Sequence, residues 1–209
     1  MKFYEKLLNA LPNRSFFWLF MLAWLGGCAQ LQTMQQRKLY PEMARLEKIS
    51  SFSLSGKLQV ETAQRKFSAP VRWVHTADGD TIFVMGPMGE VVARLDATRL
   101  GAVLRTKNEE RRAEHPGILL EALTGYAFPV HGFSSWVLGK PASGRAENLL
   151  WLKNGHLLAL AEDGWQIRYP VYQEVQGVLL PGKLEVERPE ARVVLIVESW
   201  SLPTPLPQS

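Results

Sequence analysis

Apolar and polar residues alternate along most of the chain after residue 50, a period typical of β-strands with one dry and one wet face. In residues 52–61, for example, Leu54, Leu58 and Val60 alternate with polar neighbours. Gly, Pro or Asn-Gly turn signals bound most of these runs, and the short connections predict antiparallel neighbours. The predicted strands cover residues 52–61, 67–73, 81–85, 91–95, 102–106, 149–152, 156–161, 165–172, 178–180, 183–186 and 192–200.

Three segments have helical spacing instead. Met43, Leu46 and Ile49 fall three apart after Pro41, which predicts a short helix with one apolar face. A second helix is predicted from Pro116 to about Gly125, and a third over residues 131–138, before Gly139 and Pro141. The charged stretch 107–112 is predicted to be a solvated loop.

About ten strands and two or three helices are too many elements for a small closed core. A strongly curved antiparallel sheet that wraps around the helices would bury both the helical stripes and its own apolar face. We therefore predict a mainly β protein with helices.

The N-terminus has the pattern of a bacterial lipoprotein signal peptide. Lys2, Lys6 and Arg14 precede the apolar run 16–25, which is too short to span a bilayer. The sequence Leu25-Gly26-Gly27-Cys28 resembles a lipobox, in which the thiol receives diacylglycerol and, after cleavage, an N-acyl chain. The alternative is an ordinary cleaved signal peptide with Cys28 as an unpaired remnant.

These boundaries predict the domain organisation. Residues 1–27 are a cleaved signal peptide, 28–45 the lipidated cysteine, the tether and the start of the first helix, 46–202 the folded domain, and 203–209 a tail. Cys28 is the sole cysteine, so packing rather than a disulfide must stabilise the domain. The net charge of the whole chain is +4, half of it in the signal peptide, which is too weak a charge to indicate a nucleic-acid partner.

Motifs for catalysis or metal binding are missing from the sequence. The four histidines lack partners at ligand spacing, residues 132–136 lack the second glycine of a nucleophile elbow, and no phosphate-binding loop occurs. The pattern leaves open a carboxylate pair that converges in space, from among Glu90, Asp96, Glu121 and Glu162. We expect no enzyme, no metal and no cofactor beyond the acyl chains on Cys28.

Several blocks over residues 49–202 resemble the family of the outer-membrane lipoprotein receptor LolB. They are Ser55-Gly56-Lys57, Phe67-Ser68-Ala69 with Trp73, Gly86-Pro87-Met88-Gly89, Leu123-Thr124-Gly125 with Phe128-Pro129-Val130, Trp136-Val137-Leu138-Gly139-Lys140-Pro141, Gly164-Trp165 with Tyr169, Leu180-Pro181 and Trp200. The resemblance implies an open, incomplete antiparallel β-barrel of about ten or eleven strands. A lid of two or three helices would enclose an apolar cavity for acyl chains.

The resemblance also implies where the activity lies. The family's loop between the third and fourth strands carries an exposed apolar residue, usually leucine, that is implicated in pushing cargo into the membrane. Pro87, Met88 and Gly89 occupy that loop here, with methionine in the leucine position. A flexible thioether can enter lipid headgroups as leucine does. The alternative is a core methionine folded back under the turn.

The strand pattern supplies candidates for the wall of the acyl-chain cavity. Inward apolar alternation is equally typical of an ordinary filled core, so the cavity itself depends on the resemblance. The candidates are Phe52, Leu54, Leu58, Val60, Phe67, Val71, Trp73, Ile82, Val84, Trp165, Ile167, Leu184, Val193 and Leu195 from strands, with Leu119 and Leu123 from the lid.

The implied function is receipt of other lipoproteins from the periplasmic carrier LolA and their insertion into the inner leaflet of the outer membrane, without nucleotide hydrolysis. Ala29, rather than aspartate, after Cys28 favours the outer membrane as the location by the sorting convention of envelope lipoproteins. The expected partners are LolA, cargo acyl chains and outer-membrane lipids, and we expect a monomer. The alternative is a lipid-anchored structural or sensory envelope protein with a filled β-core. A soluble carrier of the LolA kind would lack the lipobox.

Overall fold

The computed structural model describes residues 41–126 and 130–202. By its internal contacts the chain divides into Met1–Pro41 and Glu42–Ser209, and every strand in the described residues belongs to the second unit. None of the helices in these two stretches is long and apolar enough to cross a membrane. The predicted signal peptide, the lipobox cysteine and the tail 203–209 lie outside the described residues.

The helices begin and end close to the predicted positions. They are α1 (Pro41–Leu46), α2 (Pro116–Thr124) and α3 (Val130–Val137). The strands are β1 (Phe52–Thr62), β2 (Lys66–Thr76), β3 (Gly79–Met85), β4 (Val91–Thr98), β5 (Gly101–Thr106), β6 (Glu110–Ala113), β7 (Glu147–Trp151), β8 (Leu157–Glu162), β9 (Trp165–Val175), β10 (Val178–Arg188) and β11 (Ala191–Ser201).

The strands of the described chain form one antiparallel sheet in the order β6-β5-β4-β3-β2-β1-β11-β10-β9-β8-β7. The sheet does not close, because β6 and β7 stand at its two edges without pairing. Strands that follow each other in the chain are neighbours in the sheet except for β6 and β7, which stand at opposite edges, and at the centre β1 pairs with β11. The predicted open antiparallel barrel with a helical lid is therefore confirmed.

Two predictions about the strands are wrong: one strand was missed, and another was predicted as two separate strands. The charged stretch 107–112 is only partly a loop, since its second half forms the edge strand β6, where Arg105 of β5 pairs with Glu110 at 2.9 Å. Conversely, the runs 178–180 and 183–186 form one strand, β10. Its register shifts near Pro181 accommodate a residue without a backbone N–H.

The pairing of β1 with β11 joins the two halves of the sheet and explains the Ser55-Gly56-Lys57 block. A Cβ atom at Gly56 would overlap the backbone carbonyl oxygen of Ile196 on β11. The register of the pair also shifts between Ser55 and Gly56. Glycine is therefore required here for close approach of two backbones at a bulge.

Helix α2 covers one edge of the sheet. It packs against β5 and β6, begins at Pro116 and stops at Gly125, whose φ of 76° suits glycine. The Thr62 hydroxyl at the end of β1 donates to the Thr124 carbonyl at 3.0 Å, which fixes the end of the helix over the sheet.

Helix α3 fills the other half of the inner face. Its Trp136 and Val137, with the following Leu138, are almost completely buried. Trp136 packs across Gly132, where a Cβ would lie 2.8 Å from the indole ring, so glycine lets the ring lie flat on its own helix. The core around them is formed mainly by Leu46, Phe52, Leu54, Leu157, Leu160, Trp165, Ile167, Tyr169, Leu180, Leu184 and Val186.

A buried carboxylate holds this helix in place. The Glu162 side chain is 1% exposed at the end of β8. One of its oxygens accepts from Trp136 Nε1 at 2.6 Å and from the Ala142 amide at 2.9 Å, and the other accepts from the Ser143 amide and hydroxyl, both at 2.6 Å. Burial raises the pKa of Glu162, but these donors outweigh burial and hold the pKa below its usual range. Glu162 thus fixes α3 and the turn that follows it to the end of β8.

Replacement of Glu162 with glutamine should destabilise the domain by about 1–3 kcal/mol at neutral pH. Each carboxylate oxygen accepts from two donors, so either orientation of the amide directs its NH₂ group at an N–H. A lowered pKa in the folded state contributes stability that is present above the unfolded pKa and lost as pH falls through the folded pKa. The difference in the free energy of unfolding between wild type and Glu162→Gln should therefore become smaller below about pH 4. Urea unfolding at several pH values measures it.

Glu198→Gln is the matched control, because Glu198 is exposed on β11. It should change the free energy of unfolding by less than about 0.5 kcal/mol. Equal stability of Glu162→Gln and wild type at neutral pH would show that the carboxylate does not hold α3.

Candidate functional site

An apolar cavity lies between the inner face of the sheet and the helices, on the half of the sheet that α3 does not fill. It contains about 1110 Å³ of space between atoms, including the part open to solvent. Its wall consists of inward residues of β1 to β5 and β11, and Leu120 of α2 and Phe133 of α3 complete it. The lining surface is apolar. The space therefore suits an apolar ligand rather than a polar one.

Nine of the residues singled out in the sequence line this cavity. The alternation of β1, β2, β3 and β11 points each of them to the inner face, where the antiparallel registers bring them together. They are Leu58, Val60, Phe67, Val71, Trp73, Ile82, Val84, Val193 and Leu195.

Six other candidates lie in the filled core rather than along this cavity. Leu119 packs against β4 and β5, one position away from the cavity residue Leu120. The rest belong to the main buried core, where Trp165, for example, packs against Tyr126. They are Phe52, Leu54, Trp165, Ile167 and Leu184. The side chain of the remaining candidate, Leu123, lies outside the described residues.

Several wall residues were not identified from the sequence. Ala93, Leu95 and Ala97 alternate along β4, so the period of two could have found them. Leu104 is their neighbour on β5. Phe133 could not be found, since only the packing of α3 brings its ring to the cavity.

The polar residues in the wall turn their polar atoms to other partners. Asp80 Oδ1 accepts from Trp73 Nε1 at 2.7 Å and lies 2.7 Å from His75 Nδ1. Thr124 Oγ1 lies 2.7 Å from the Leu120 carbonyl to which it donates. Because these groups are already hydrogen-bonded, the cavity surface remains apolar and carries no charge toward an apolar ligand.

The loop between β3 and β4 presents Met88 to solvent. Its side chain is 96% exposed, so the alternative of a methionine folded back into the core is wrong. The turn is held by a bond from the Gly89 amide to the Gly86 carbonyl at 3.0 Å, and Gly89 adopts a φ of 80°. The Glu90 carboxylate accepts from the Met88 amide at 3.0 Å. The structure thus presents the thioether at the tip of a tight, self-bonded turn, with Pro87 before it.

The loop and the cavity share the same strands. Val84 of β3 and Ala93 of β4 are paired and line the cavity, and after a register shift the next pair, Met85 and Val91, forms the base of the loop. Phe67, which is 37% exposed, lies at the cavity rim near the start of β2. The cavity therefore reaches solvent at the same end of the sheet from which Met88 projects.

Comparison with known proteins agrees with this geometry. Residues 50–200 match the family model of the outer membrane lipoprotein LolB. An outer-membrane lipoprotein LolB of Nitrosococcus oceani is 32% identical over 196 residues, which cover 88% of this chain and 95% of that protein. One from Pseudomonas putida is 30% identical over 188 residues, which cover 86% and 92%. The chain belongs to the LolB family of outer-membrane lipoproteins.

Proposed function

We propose that this protein accepts lipoproteins from a periplasmic carrier of the LolA kind and delivers their acyl chains into the inner leaflet of the outer membrane. The observation that carries the proposal is the open apolar cavity whose rim lies beside an exposed apolar loop. The cavity would hold the acyl chains of the cargo, and the Met88 loop would contact the bilayer.

The main energetic cost of lipoprotein transport is exposure of acyl chains to water, and an apolar cavity would avoid it. Each methylene taken from water into an apolar environment gains about 0.8 kcal/mol, so cargo acyl chains exposed to water would cost tens of kcal/mol. A wall of Val60, Val71, Leu95 and their neighbours removes that cost during transfer.

Transfer would proceed down a gradient of affinity. No nucleotide hydrolysis or other catalytic step is part of the proposal, so cargo moves only if this protein binds the acyl chains better than the carrier and worse than the bilayer. A partly open cavity suits the second condition, because it leaves part of a bound chain near solvent. Equal partition of labelled cargo between carrier and this protein would contradict the ordering.

The acyl chains that we propose on Cys28 would act as an anchor rather than as part of the cavity. Two or three chains hold a protein at a bilayer almost permanently. The anchor would keep the cavity and the Met88 loop beside the membrane that receives cargo. A Cys28→Ala chain should therefore still accept cargo.

A lipid-anchored structural or sensory protein is the alternative function. It would need no space for a ligand, and its inner face would be filled along its whole length. The part of the sheet in front of α3 is filled in this way, but the inner face lined by residues of β1 to β5 and β11 keeps an apolar space. The unfilled part favours a carrier of acyl chains.

Ala93→Phe should weaken binding of an acyl-chain fluorophore by about tenfold or more, since a ring that displaces two methylenes of the ligand costs that much. Ala93 lines the cavity on β4, and a Phe side chain would extend into empty space. The assay is a fluorescence titration of residues 28–209 carrying Cys28→Ala, which retain the whole Glu42–Ser209 unit.

Ser68→Phe adds the same ring to the outer face of β2, where Ser68 is exposed, and should bind the fluorophore like wild type. If Ala93→Phe also bound like wild type, or if no form bound the fluorophore, the cavity would not be the acyl-chain site.

Met88→Glu should block delivery of cargo to vesicles while uptake from the carrier is unchanged. A carboxylate at the tip of the loop opposes entry into the acyl region, and the exposed position requires no refolding. The measurement is transfer of a labelled lipoprotein from carrier to this protein, and then to vesicles.

Leu100→Glu is a matched control in the turn at the other end of β4. Leu100 is 98% exposed in the turn that follows β4, at the opposite end from Met88. Its replacement should leave both steps intact. Equal loss of delivery in the two variants, or loss of uptake in Met88→Glu, would contradict a specific membrane role for the loop.

A further inference from the structure

Two arginines flank one aromatic ring on the outer face of the sheet. Arg72 of β2, Phe83 of β3 and Arg94 of β4 stand directly opposite one another in the register of the strands. Their chain neighbours Val71, Ile82 and Leu95 point inward to the cavity, so this row faces outward.

The ring holds both guanidinium groups in place. The Arg72 Cζ atom lies 5.0 Å and the Arg94 Cζ atom 5.3 Å from the centroid of the Phe83 ring, distances at which a cation is attracted to an aromatic face. Stacking lowers the conformational freedom of both side chains before any ligand arrives.

The two guanidinium groups differ in their partners. Arg94 donates through Nε and Nη2 to Asp96 Oδ1, at 3.0 and 2.8 Å. Within residues 41–126 and 130–202, no carboxylate lies within ion-pair distance of Arg72, which is exposed. Among the described residues, the Arg72 guanidinium therefore has no acidic partner. The Arg94 guanidinium donates to Asp96 through Nε and Nη2 but not through Nη1.

This row lies just behind the Met88 loop. Phe83 is five residues before Met88, so at most about 17 Å of extended chain separates them, and the turn at Gly86 shortens that distance. Between tip and row, Val91 and Val92 are exposed. Moving away from the tip, the apolar residues therefore come first and the arginines second. Segments that contact the membrane interface have the same order, with apolar side chains deeper than the cations.

We propose that Arg72 and Arg94 form a binding site for the phosphate groups of anionic phospholipids, which receives headgroups when Met88 enters the bilayer. This inference deepens the proposed function and depends on its membrane contact by the loop. The headgroup layer is roughly 5–8 Å thick on each side of the hydrocarbon core. Because the row lies less than about 17 Å behind the tip, entry of the tip through that layer moves the row toward the level of the phosphates.

The chemistry of the site fits this ligand. Guanidinium groups bind phosphate oxygens through paired N–H donors, and a stacked guanidinium loses little freedom on binding. The carboxylate nearest the tip, Glu90, accepts from the Met88 amide, so it is held against the loop backbone. An arginine site behind an inserting tip would fix the orientation of the cavity rim toward the lipid surface.

The test is binding of residues 28–209 carrying Cys28→Ala to vesicles of phosphatidylethanolamine and phosphatidylglycerol, measured by sedimentation. The double variant Arg72→Gln with Arg94→Gln should bind about tenfold more weakly than the parent chain at low salt. The difference should disappear at about 1 M salt and on vesicles of phosphatidylcholine alone, which carry no net charge.

Arg99→Gln with Lys153→Gln is the charge-matched control, since it removes two cations from exposed turns at the other end of the sheet. The control should bind like the parent. If both double variants bound the anionic vesicles equally weakly, the loss would come from net charge alone, and the proposed phosphate site would be refuted. Absence of parent-chain binding to the anionic vesicles would overturn it as well.

Met88→Glu in the same assay separates this inference from the proposed function. If Met88→Glu loses binding while the arginine variant binds like the parent, the loop contacts membranes and the phosphate site is refuted. If both variants bind like the parent, the membrane role of the loop fails together with the site.

Discussion

The buried hydrogen bonds of Glu162 are the constraint on which the inner face of the sheet depends. They attach Trp136 of α3 and the turn at Ala142 and Ser143 to the end of β8. With α3 held there, the part of the sheet formed by β8 to β10 is filled, while an apolar space remains in front of β1 to β5 and β11. A sheet of this size exposes more apolar surface than two short helices can cover, so fixing one helix decides where the uncovered surface lies.

The uncovered surface persists because the wall is rigid and chemically uniform. Paired strands define it on one side, and the bond from Thr62 to the end of α2 fixes the helix on the other. Asp80 and Thr124 turn their polar atoms to neighbouring donors and acceptors, so water finds few partners inside. A cavity of this kind binds by exclusion of water rather than by specific contacts, which suits a ligand defined only by its acyl chains.

Strands β2, β3 and β4 serve two surfaces at once. Their inward residues line the cavity, their outward residues form the arginine row around Phe83, and the turn between β3 and β4 carries Met88. Because side chains alternate across a strand, residues next to each other in sequence lie on opposite surfaces of one wall. Cavity rim, apolar tip and cations therefore keep a fixed geometry without a separate domain.

The sequence by itself determined the helices, most of the strands and the position of the loop between β3 and β4, because period, turn residues and the Pro87-Met88-Gly89 block are local signals. The edge strand β6 and the exposure of Met88 came only from the tertiary structure. The sequence could not separate Leu58 and Val71, which line the cavity, from Leu54 and Leu184, which lie in filled core, since all four have the same inward alternation. That distinction depends on which strands α3 covers, and so on contacts between Trp136 and Glu162, 26 residues apart. Only tertiary packing brings such distant residues together, and it alone decides where space remains.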